Sequence, residues 1–185
     1  TKLGSAGKLI DTLEIKIDSD DPYNKVGEIM VKGENVMRGY YKNDEATKQV
    51  IDEDGWLHTG DLGVIDKDNF IFISGRSKSM ILGPSGENIY PEEIEAKINN
   101  MPYVQESVVV DDKNHKLVAL IYPDYEEADK EGLKDSDLKE IIQNVKAQVN
   151  KDLPGFMRIS QAKLYPTEFE KTPKKSIKRY IYNID

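Results

Sequence analysis

The sequence predicts an α+β fold, in which a β-rich first part is followed by a second part that mixes strands with helices. Short apolar stretches bounded by glycines or polar turns fill the first part, as at residues 27–33. Two stretches with helical spacing, at about 91–99 and 136–151, come only later. The change falls close to residues 74–78, and we place the domain boundary there.

The predicted strands of the first part follow from alternation and from their boundaries. Residues 13–17 alternate apolar and polar side chains, and residues 27–33 are enclosed by Gly27 and Gly33. Residues 70–73 follow the polar turn at 66–69. The first part is therefore expected to form β-structure.

The second part contains two predicted helices and a hairpin. Pro91, the acids that follow it, and Ile94 and Ile98 four residues apart predict a helix over about 91–99. The apolar stretches 107–111 and 116–122 flank a turn-rich segment and predict a hairpin. Apolar residues at helical spacing predict a second helix over about 136–151, ended by the sequence Leu-Pro-Gly at 153–155.

The composition limits the classes of function. The 185 residues include 26 Lys and Arg and 34 Asp and Glu, a formal net charge of −8, which disfavours nonspecific nucleic-acid binding. No apolar run approaches the roughly 18 residues of a membrane span, although peripheral membrane contact stays open. The absence of cysteine excludes disulfides and thiolate metal sites. A soluble, cytoplasmic protein is expected, and the isolated His58 and His115 suggest no metal site.

Charge is unevenly distributed along the chain. An acidic stretch at 125–140 contrasts with residues 171–181, which carry five basic residues and no acid. This basic tail has two interpretations, a solvated terminus and an anion-binding loop.

Three polar clusters are candidates for binding chemistry. Two glycines, Gly60 and Gly63, bracket Asp61 and would allow a turn that presents its carboxylate. Arg76 follows a predicted strand, and a glycine-containing loop at 83–91 leads into a helix N-terminus. Each has an ordinary alternative: a turn-forming Asp, a surface ion pair and a capping loop.

Taken together, the clusters are more specific than any one of them. The order and spacing of five motifs resemble the C-terminal part of the adenylate-forming enzymes, the superfamily of acyl-CoA synthetases, nonribosomal adenylation domains and luciferases. The motifs are Gly-Glu-Ile-Met-Val-Lys-Gly at 27–33 with Met-Arg-Gly-Tyr-Tyr at 37–41, Asp-Gly-Trp-Leu-His-Thr-Gly-Asp at 54–61, Gly-Arg-Ser-Lys at 75–78, Gly-Glu-Asn-Ile-Tyr-Pro-Glu-Glu-Ile-Glu at 86–95, and Lys-Thr-Pro with Ile-Lys-Arg within 171–179.

Within that superfamily, the sequence is most similar to the bacterial long-chain fatty acid–CoA ligases. The similarity rests on Gly-Tyr-Tyr-Lys-Asn at 39–43, on Lys78 and on Leu-Pro-Gly-Phe-Met-Arg-Ile at 153–159. The resemblance implies a two-step reaction, in which a fatty acid attacks ATP to form acyl-AMP and pyrophosphate, and the thiol of CoA then displaces AMP. Mg²⁺ would enter with ATP, without a ligand from this chain.

The resemblance also implies roles for individual residues. Residues 1–76 would be the end of the large AMP-binding domain, a β-barrel-like part, and residues 77–185 a mobile α+β lid. The implied roles are ribose binding by Asp61 and Arg76, an apolar contact to the nucleotide by Ile73, a hinge at Lys78, and CoA binding by Ser85, Gly86, Glu87 and Asn88.

The last motif departs from the family pattern. The family has a lysine that bridges the substrate carboxylate and the α-phosphate, and alignment places Ser176 at that position. A serine cannot supply positive charge to the transition state. We therefore expect that Lys175, one residue earlier, takes that role; Lys174 is the weaker candidate.

The family's upstream phosphate loop and acyl-pocket segment have no counterpart in this sequence. We therefore expect a fragment that is inactive without its N-terminal domain, which would be its main partner. Two alternatives stay open: a non-catalytic nucleotide- or CoA-binding regulatory module, which the loss of the lysine favours, and a ligase or adenylation domain for another carboxylic acid. The basic tail could also contact the phosphates of CoA.

Overall fold

A computed structural model describes residues 2–182. The chain divides between Lys78 and Ser79 into two compact units. The first unit is built from strands and one short helix, and the second combines strands with the longer helices. The predicted α+β class is confirmed.

The first unit is organised by a five-stranded antiparallel sheet with the strand order β1-β5-β4-β3-β2. The predicted strands at 13–17, 27–33 and 70–73 are present, and the last continues to Arg76. Helix α1 is capped by the side chain of Asn43, which accepts a hydrogen bond from the amide of Ala46. The elements are β1 (Gly7–Lys8), β2 (Leu13–Asp18), β3 (Gly27–Gly33), α1 (Asp44–Lys48), β4 (Leu57–Ile65) and β5 (Phe70–Arg76).

Strand β4 corrects the interpretation of the segment around Asp61. The two glycines suggested a turn, but the segment is a strand paired on both sides. Gly60 has a φ of +73°, and the pairing register shifts on each side of the segment. The glycine thus permits a bulge within a strand, and the bulge takes the place of the expected turn.

The second unit has a three-stranded sheet with the order β10-β9-β8, in which β8 and β9 are antiparallel and β9 and β10 are parallel. Helices α3 and α4 form the crossover between the parallel strands, as this pairing requires. The elements are β6 (Ile81–Leu82), β7 (Asn88–Ile89), α2 (Pro91–Asn99), β8 (Val104–Asp111), β9 (Leu117–Pro123), α3 (Tyr125–Lys130), α4 (Asp135–Val149) and β10 (Ile159–Leu164).

Both faces of this sheet are buried, which explains why β9 is apolar along almost its whole length and why β8 has three consecutive valines at 108–110. One face packs under α2 and α4, with Val109 and Ile121 against Ile94 and Ile142. The opposite face, which includes Val108 and Leu120, is covered by side chains of the C-terminal segment, Phe169 and Tyr182. The C-terminal segment is therefore attached to the sheet at Phe169 and Tyr182, whereas residues 173–176 between them are exposed.

The predicted helices and hairpin of the second unit are present within two or three residues of their expected limits. Helix α3 and strand β10 were not predicted, because residues 125–130 are mostly charged and residues 159–164 do not alternate strictly between apolar and polar side chains. Among residues 2–182, no helix has the length and apolar character needed to cross a bilayer.

Candidate functional site

Asp61 and Arg76 lie opposite each other on neighbouring strands. They are register partners in the pairing of β4 with β5, and Arg76 Nε lies 2.7 Å from Asp61 Oδ1. The Arg76 side chain is 62% exposed and that of Asp61 32% exposed. The two residues singled out from separate motifs are thus brought together by the sheet.

This pair leaves polar groups available. Within residues 2–182, Asp61 Oδ2 and the terminal nitrogens of Arg76 have no hydrogen-bond or ion-pair partner. A carboxylate oxygen accepts hydrogen bonds and a guanidinium donates them, whereas a hydroxyl can do both. The pair can therefore bind a ligand that carries neighbouring hydroxyls.

Ile73 precedes Arg76 on the same strand and pairs with Gly63. Its side chain is 54% exposed. Ile73 and the Asp61–Arg76 pair thus lie on the same two paired strands, and an exposed apolar side chain can contact an apolar part of a ligand.

The β6–β7 hairpin carries the glycine-containing loop. Ile81 pairs with Ile89, and the amide of Gly83 donates to the carbonyl of Glu87 at 2.8 Å. Gly86 has a φ of +90°, and a Cβ built on it would meet no atom within 4 Å. The amide of Ser85 donates to the Glu87 carboxylate at 3.2 Å. Gly86 is therefore required for backbone conformation, and open space lies beside it.

Residues 171–177 form a second hairpin turn. The amide of Lys175 donates to the carbonyl of Thr172 and the amide of Thr172 to the carbonyl of Ser176, both at 2.8 Å. With Pro173 after Thr172 and Lys175 at a φ of +62°, this is a three-residue hairpin loop with a left-handed last residue. Lys175 and Ser176 are exposed and lie in different backbone conformations.

Ion pairs attach both ends of this turn to other elements of the second unit. Lys171 Nζ lies 2.6 Å from Glu106 Oε1 on β8, and this hydrogen bond raises the pKa of the Lys171 ammonium. Arg179 Nη2 lies 2.7 Å from Glu95 Oε2 on α2. Burial lowers the pKa of Arg179, but the hydrogen bond and charge of Glu95 and the charge of Glu92 raise it further, so the guanidinium stays charged.

The predicted site residues form three separate groups. Asp61, Arg76 and Ile73 share the sheet of the first unit, and Lys78 lies in the 3-10 turn Ser77–Ser79 at the unit boundary. The second unit holds the loop with Ser85, Gly86, Glu87 and Asn88 and the turn with Lys175 and Ser176.

Two structural partners were missed from the sequence. Glu28 contacts the bulge of β4, and Glu95 is buried against Arg179. The signal for Glu95 is its place between Ile94 and Ile98 on one helix, since an acid there is close to the buried face. Glu28 lies within the motif at 27–33, but nothing in that motif indicated a contact with residues 58–60.

Comparison with protein families decides the assignment. The family described as AMP-binding enzyme C-terminal domain matches residues 78–183. The chain belongs to this family. This confirms the resemblance to the adenylate-forming enzymes at the level of the family.

Relatives of this chain include 2-succinylbenzoate–CoA ligases. The protein from Bacillus cytotoxicus is 47% identical over 113 residues, which are 60% of this chain and 23% of the relative. The protein from Bacillus cereus strain Q1 is 44% identical over 119 residues, 61% of this chain and 24% of the relative. The chain thus spans about a quarter of the length of the curated relatives it matches.

Solved structures give the same fold. O-succinylbenzoate Coenzyme A synthetase from Bacillus subtilis, in complex with AMP, has a TM-score of 0.77 and 29% identity, and the match covers 98% of this chain and 35% of that chain. An anthranilate CoA ligase in complex with anthranoyl-AMP has a TM-score of 0.81 and 25% identity, over 98% of this chain and 34% of that one. The same Bacillus subtilis enzyme has also been solved with ATP and a magnesium ion.

Proposed function

We propose that this chain is part of an AMP-forming CoA ligase. In the first step, a carboxylate oxygen of the acid attacks the α-phosphorus of ATP, and pyrophosphate leaves to give acyl-AMP. In the second step, the sulfur of CoA attacks the acyl carbon, AMP leaves with the bonding electrons, and the thiol proton goes to solvent. Membership of the AMP-binding family and the relatives named as CoA ligases support this proposal.

The observation that carries the proposal is the 2.7 Å contact between Arg76 and Asp61. Among the described residues, nothing occupies the second carboxylate oxygen of Asp61 or the terminal nitrogens of Arg76, and this arrangement suits the two hydroxyls of a ribose. Hydrogen bonds to charged groups contribute on the order of 1.5–3 kcal/mol each. Asp61 and Arg76 would bind the ribose of ATP and AMP, and Ile73 would contact the nucleotide.

The remaining roles belong to the second unit and to the boundary. Lys78 would be the hinge about which this unit moves between the two steps. Ser85, Gly86, Glu87 and Asn88 would contact CoA, with Gly86 allowing close approach of the backbone. Lys175 would stabilise charge at the α-phosphate in the first step. Mg²⁺ would arrive bound to ATP as part of the substrate.

Residues 1–76 would then complete the large AMP-binding domain of the whole protein, and residues 77–185 would be its mobile lid. The N-terminal remainder of that domain would supply the acid pocket and the phosphate loop. By itself, this chain should form no acyl-AMP, because residues that hold ATP in the family have no counterpart in it. Cytoplasmic location stays a prediction.

Two classes of acid are candidates. The motifs at 39–43 and 153–159 favoured a long-chain fatty acid, whereas relatives that are 44–47% identical are named for 2-succinylbenzoate. We favour an aromatic acid of the 2-succinylbenzoate type, because identity of 44–47% outweighs short motifs. Palmitate is the second candidate.

Pyrophosphate release by the full-length parent protein tests the proposal. The assay contains ATP, Mg²⁺ and CoA, with 2-succinylbenzoate, palmitate or no acid. Release that depends on one of these acids, with none from the isolated 185-residue chain, would support both the reaction and the fragment interpretation. Pyrophosphate release by the isolated chain would overturn the fragment interpretation.

A non-catalytic nucleotide- or CoA-binding module is the second candidate function, and the observation in its favour is Ser176. If the parent binds AMP but releases no pyrophosphate with either acid or with shorter fatty acids, this module becomes the better account. Retention of Asp61, Arg76 and Gly86 together argues for the ligase.

A further inference from the structure

The bulge that carries Asp61 is unusually large. Glu28 pairs with Leu62 and Met30 pairs with His58, so the three residues 59–61 of β4 lie opposite the single residue Ile29 of β3. A standard bulge places two residues opposite one. The extra length interrupts the hydrogen-bond ladder just where the proposed ribose-binding carboxylate is attached.

Side chains replace the missing ladder bonds. The amide of Gly60 donates to Glu28 Oε1 at 2.9 Å, and the amide of Asp61 donates to the Thr59 hydroxyl at 3.1 Å. The same hydroxyl donates to the carbonyl of Ile29 at 2.6 Å. Half-buried amides without a partner would be costly, so these bonds determine the path of the bulge.

The Glu28 carboxylate is itself held from a second side. His58 Nδ1 lies 2.8 Å from Glu28 Oε2. Because an ionised carboxylate only accepts hydrogen bonds, Nδ1 carries the hydrogen in this contact. The Glu28 side chain is 24% exposed and makes its bonds to the bulge from the neighbouring strand. It thus connects two points of β4, at His58 and Gly60, immediately before Asp61.

We propose that Glu28 is a positioning residue for nucleotide binding: it fixes the β4 bulge and so orients the Asp61 carboxylate toward Arg76 and the ribose. This inference rests on the proposed nucleotide-binding function. Glu28 would act through the Gly60 amide and would not touch the nucleotide. Its effect should therefore depend on an acceptor at this position and little on its charge.

The test compares Glu28→Ala with Glu28→Gln in the full-length parent, with the AMP Kd measured by calorimetry. Glutamine retains a carbonyl oxygen for the Gly60 amide, and its amide group can donate to the other tautomer of His58. We expect an AMP Kd about tenfold higher for the alanine variant and within about threefold of the unaltered protein for the glutamine variant. Glu14→Ala, an exposed acid on β2 of the same sheet, is the matched control and should bind AMP normally.

Two further measurements separate positioning from loss of structure. The CoA Kd should stay within about twofold in every variant, because the proposed CoA loop is in the second unit. Hydrogen exchange in the peptide spanning residues 57–63, without nucleotide, should be faster in Glu28→Ala and unchanged in Glu28→Gln. If the alanine variant does not fold, Glu28→Met takes its place, since methionine fills similar volume without a strong acceptor.

The outcomes distinguish this inference from the proposed function. An unaltered parent that does not bind AMP would refute the proposed function, and the inference with it. A parent that binds AMP, with a Glu28→Ala or Glu28→Met variant that binds equally well, would overturn the positioning role alone. Equal weakening in the alanine and glutamine variants, or a parallel loss of CoA affinity, would also overturn it.

Discussion

The Arg179 guanidinium and the Glu95 carboxylate form a two-point ion pair that attaches the C-terminal segment to helix α2. Nη2 lies 2.7 Å from Oε2, and Nη1 contacts Oε1. The pair also binds strand β8. The amide of Val109 donates to Glu95 Oε1 at 2.6 Å, and Arg179 Nη1 donates to the carbonyl of Val109 at 3.2 Å. One charge pair thus joins a helix, a strand and the segment that carries the turn with Lys175.

Replacing Arg179 with alanine should destabilise the second unit by about 3 kcal/mol, because the Glu95 carboxylate, 10% exposed, would lose its countercharge. Urea unfolding of the chain followed by circular dichroism at the helix band measures this, since the two longest helices, α2 and α4, lie in the second unit. Fluorescence of Trp56, in the first unit, should show an unchanged transition.

Lys178→Ala is the matched control for that prediction. Lys178 is the neighbouring cation and pairs with the exposed Glu170 at 3.2 Å. Surface ion pairs contribute about 0–1 kcal/mol, so this variant should unfold almost as the unaltered chain does. Equal destabilisation by the two substitutions would show that the Arg179–Glu95 pair has no special role.

Asp61→Ala should raise the AMP Kd of the full-length parent about 10- to 100-fold, because about 1.5–3 kcal/mol of charged hydrogen bonding to the ribose would be lost. Asp18→Ala, which removes an exposed acid from β2 of the same sheet, is the control. Isothermal titration with AMP measures both. Unchanged affinity in Asp61→Ala would remove the main support for ribose binding at this position.

Elements whose structure is determined by neighbouring residues in the sequence could be predicted. Pro91, Ile94 and Ile98 predicted helix α2 with the limits that the structure has, because capping and spacing are local properties. Asp61 and Arg76 were also identified, but only as members of motifs. Their 2.7 Å contact depends on the register of β4 with β5, which no local pattern specifies.

The same reason explains what the sequence did not show. The bulge at Gly60 was interpreted as a turn, since a glycine signals a positive φ in either structure. Glu28 acts across strands from 32 residues away. Arg179 and Glu95, 84 positions apart, meet only when the C-terminal segment covers the sheet. Contacts between polar side chains that are distant in sequence depend on how the chain packs. They could therefore not be predicted from the sequence.

Gly86→Ala should weaken the second reaction step and spare the first. A φ of +90° is strained for an L residue, at a cost of about 1 kcal/mol or more, so the loop should shift and thioester formation should fall about fivefold or more. Single-turnover transfer from preformed acyl-AMP to CoA in the parent measures this step.

Gly132→Ala is the control for backbone strain in the same unit. Gly132 has a φ of +70°, and a Cβ on it would also meet no atom within 4 Å. A loss of transfer rate in both glycine variants would indicate general destabilisation, whereas a loss in Gly86→Ala alone is the outcome expected of a CoA loop.

Lys175→Ala should lower acid-dependent pyrophosphate release by the parent at least a hundredfold, which corresponds to about 2.7 kcal/mol of transition-state stabilisation. Lys175 is the exposed cation directly before Ser176 and the last residue of the hairpin loop, with a φ of +62°. Lys174→Ala, which removes the adjacent exposed cation, should retain activity within about threefold.

A second variant decides between a displaced lysine and a lost one. Adding Ser176→Lys to Lys175→Ala restores the charge at the position where the family has it, and at least a tenfold recovery of pyrophosphate release is expected. If Lys175→Ala is as active as the unaltered parent, the charge for the first step comes from elsewhere. If Ser176→Lys alone creates activity in an inactive parent, the unaltered protein is the non-catalytic module, because its fold would be intact and only the cation missing.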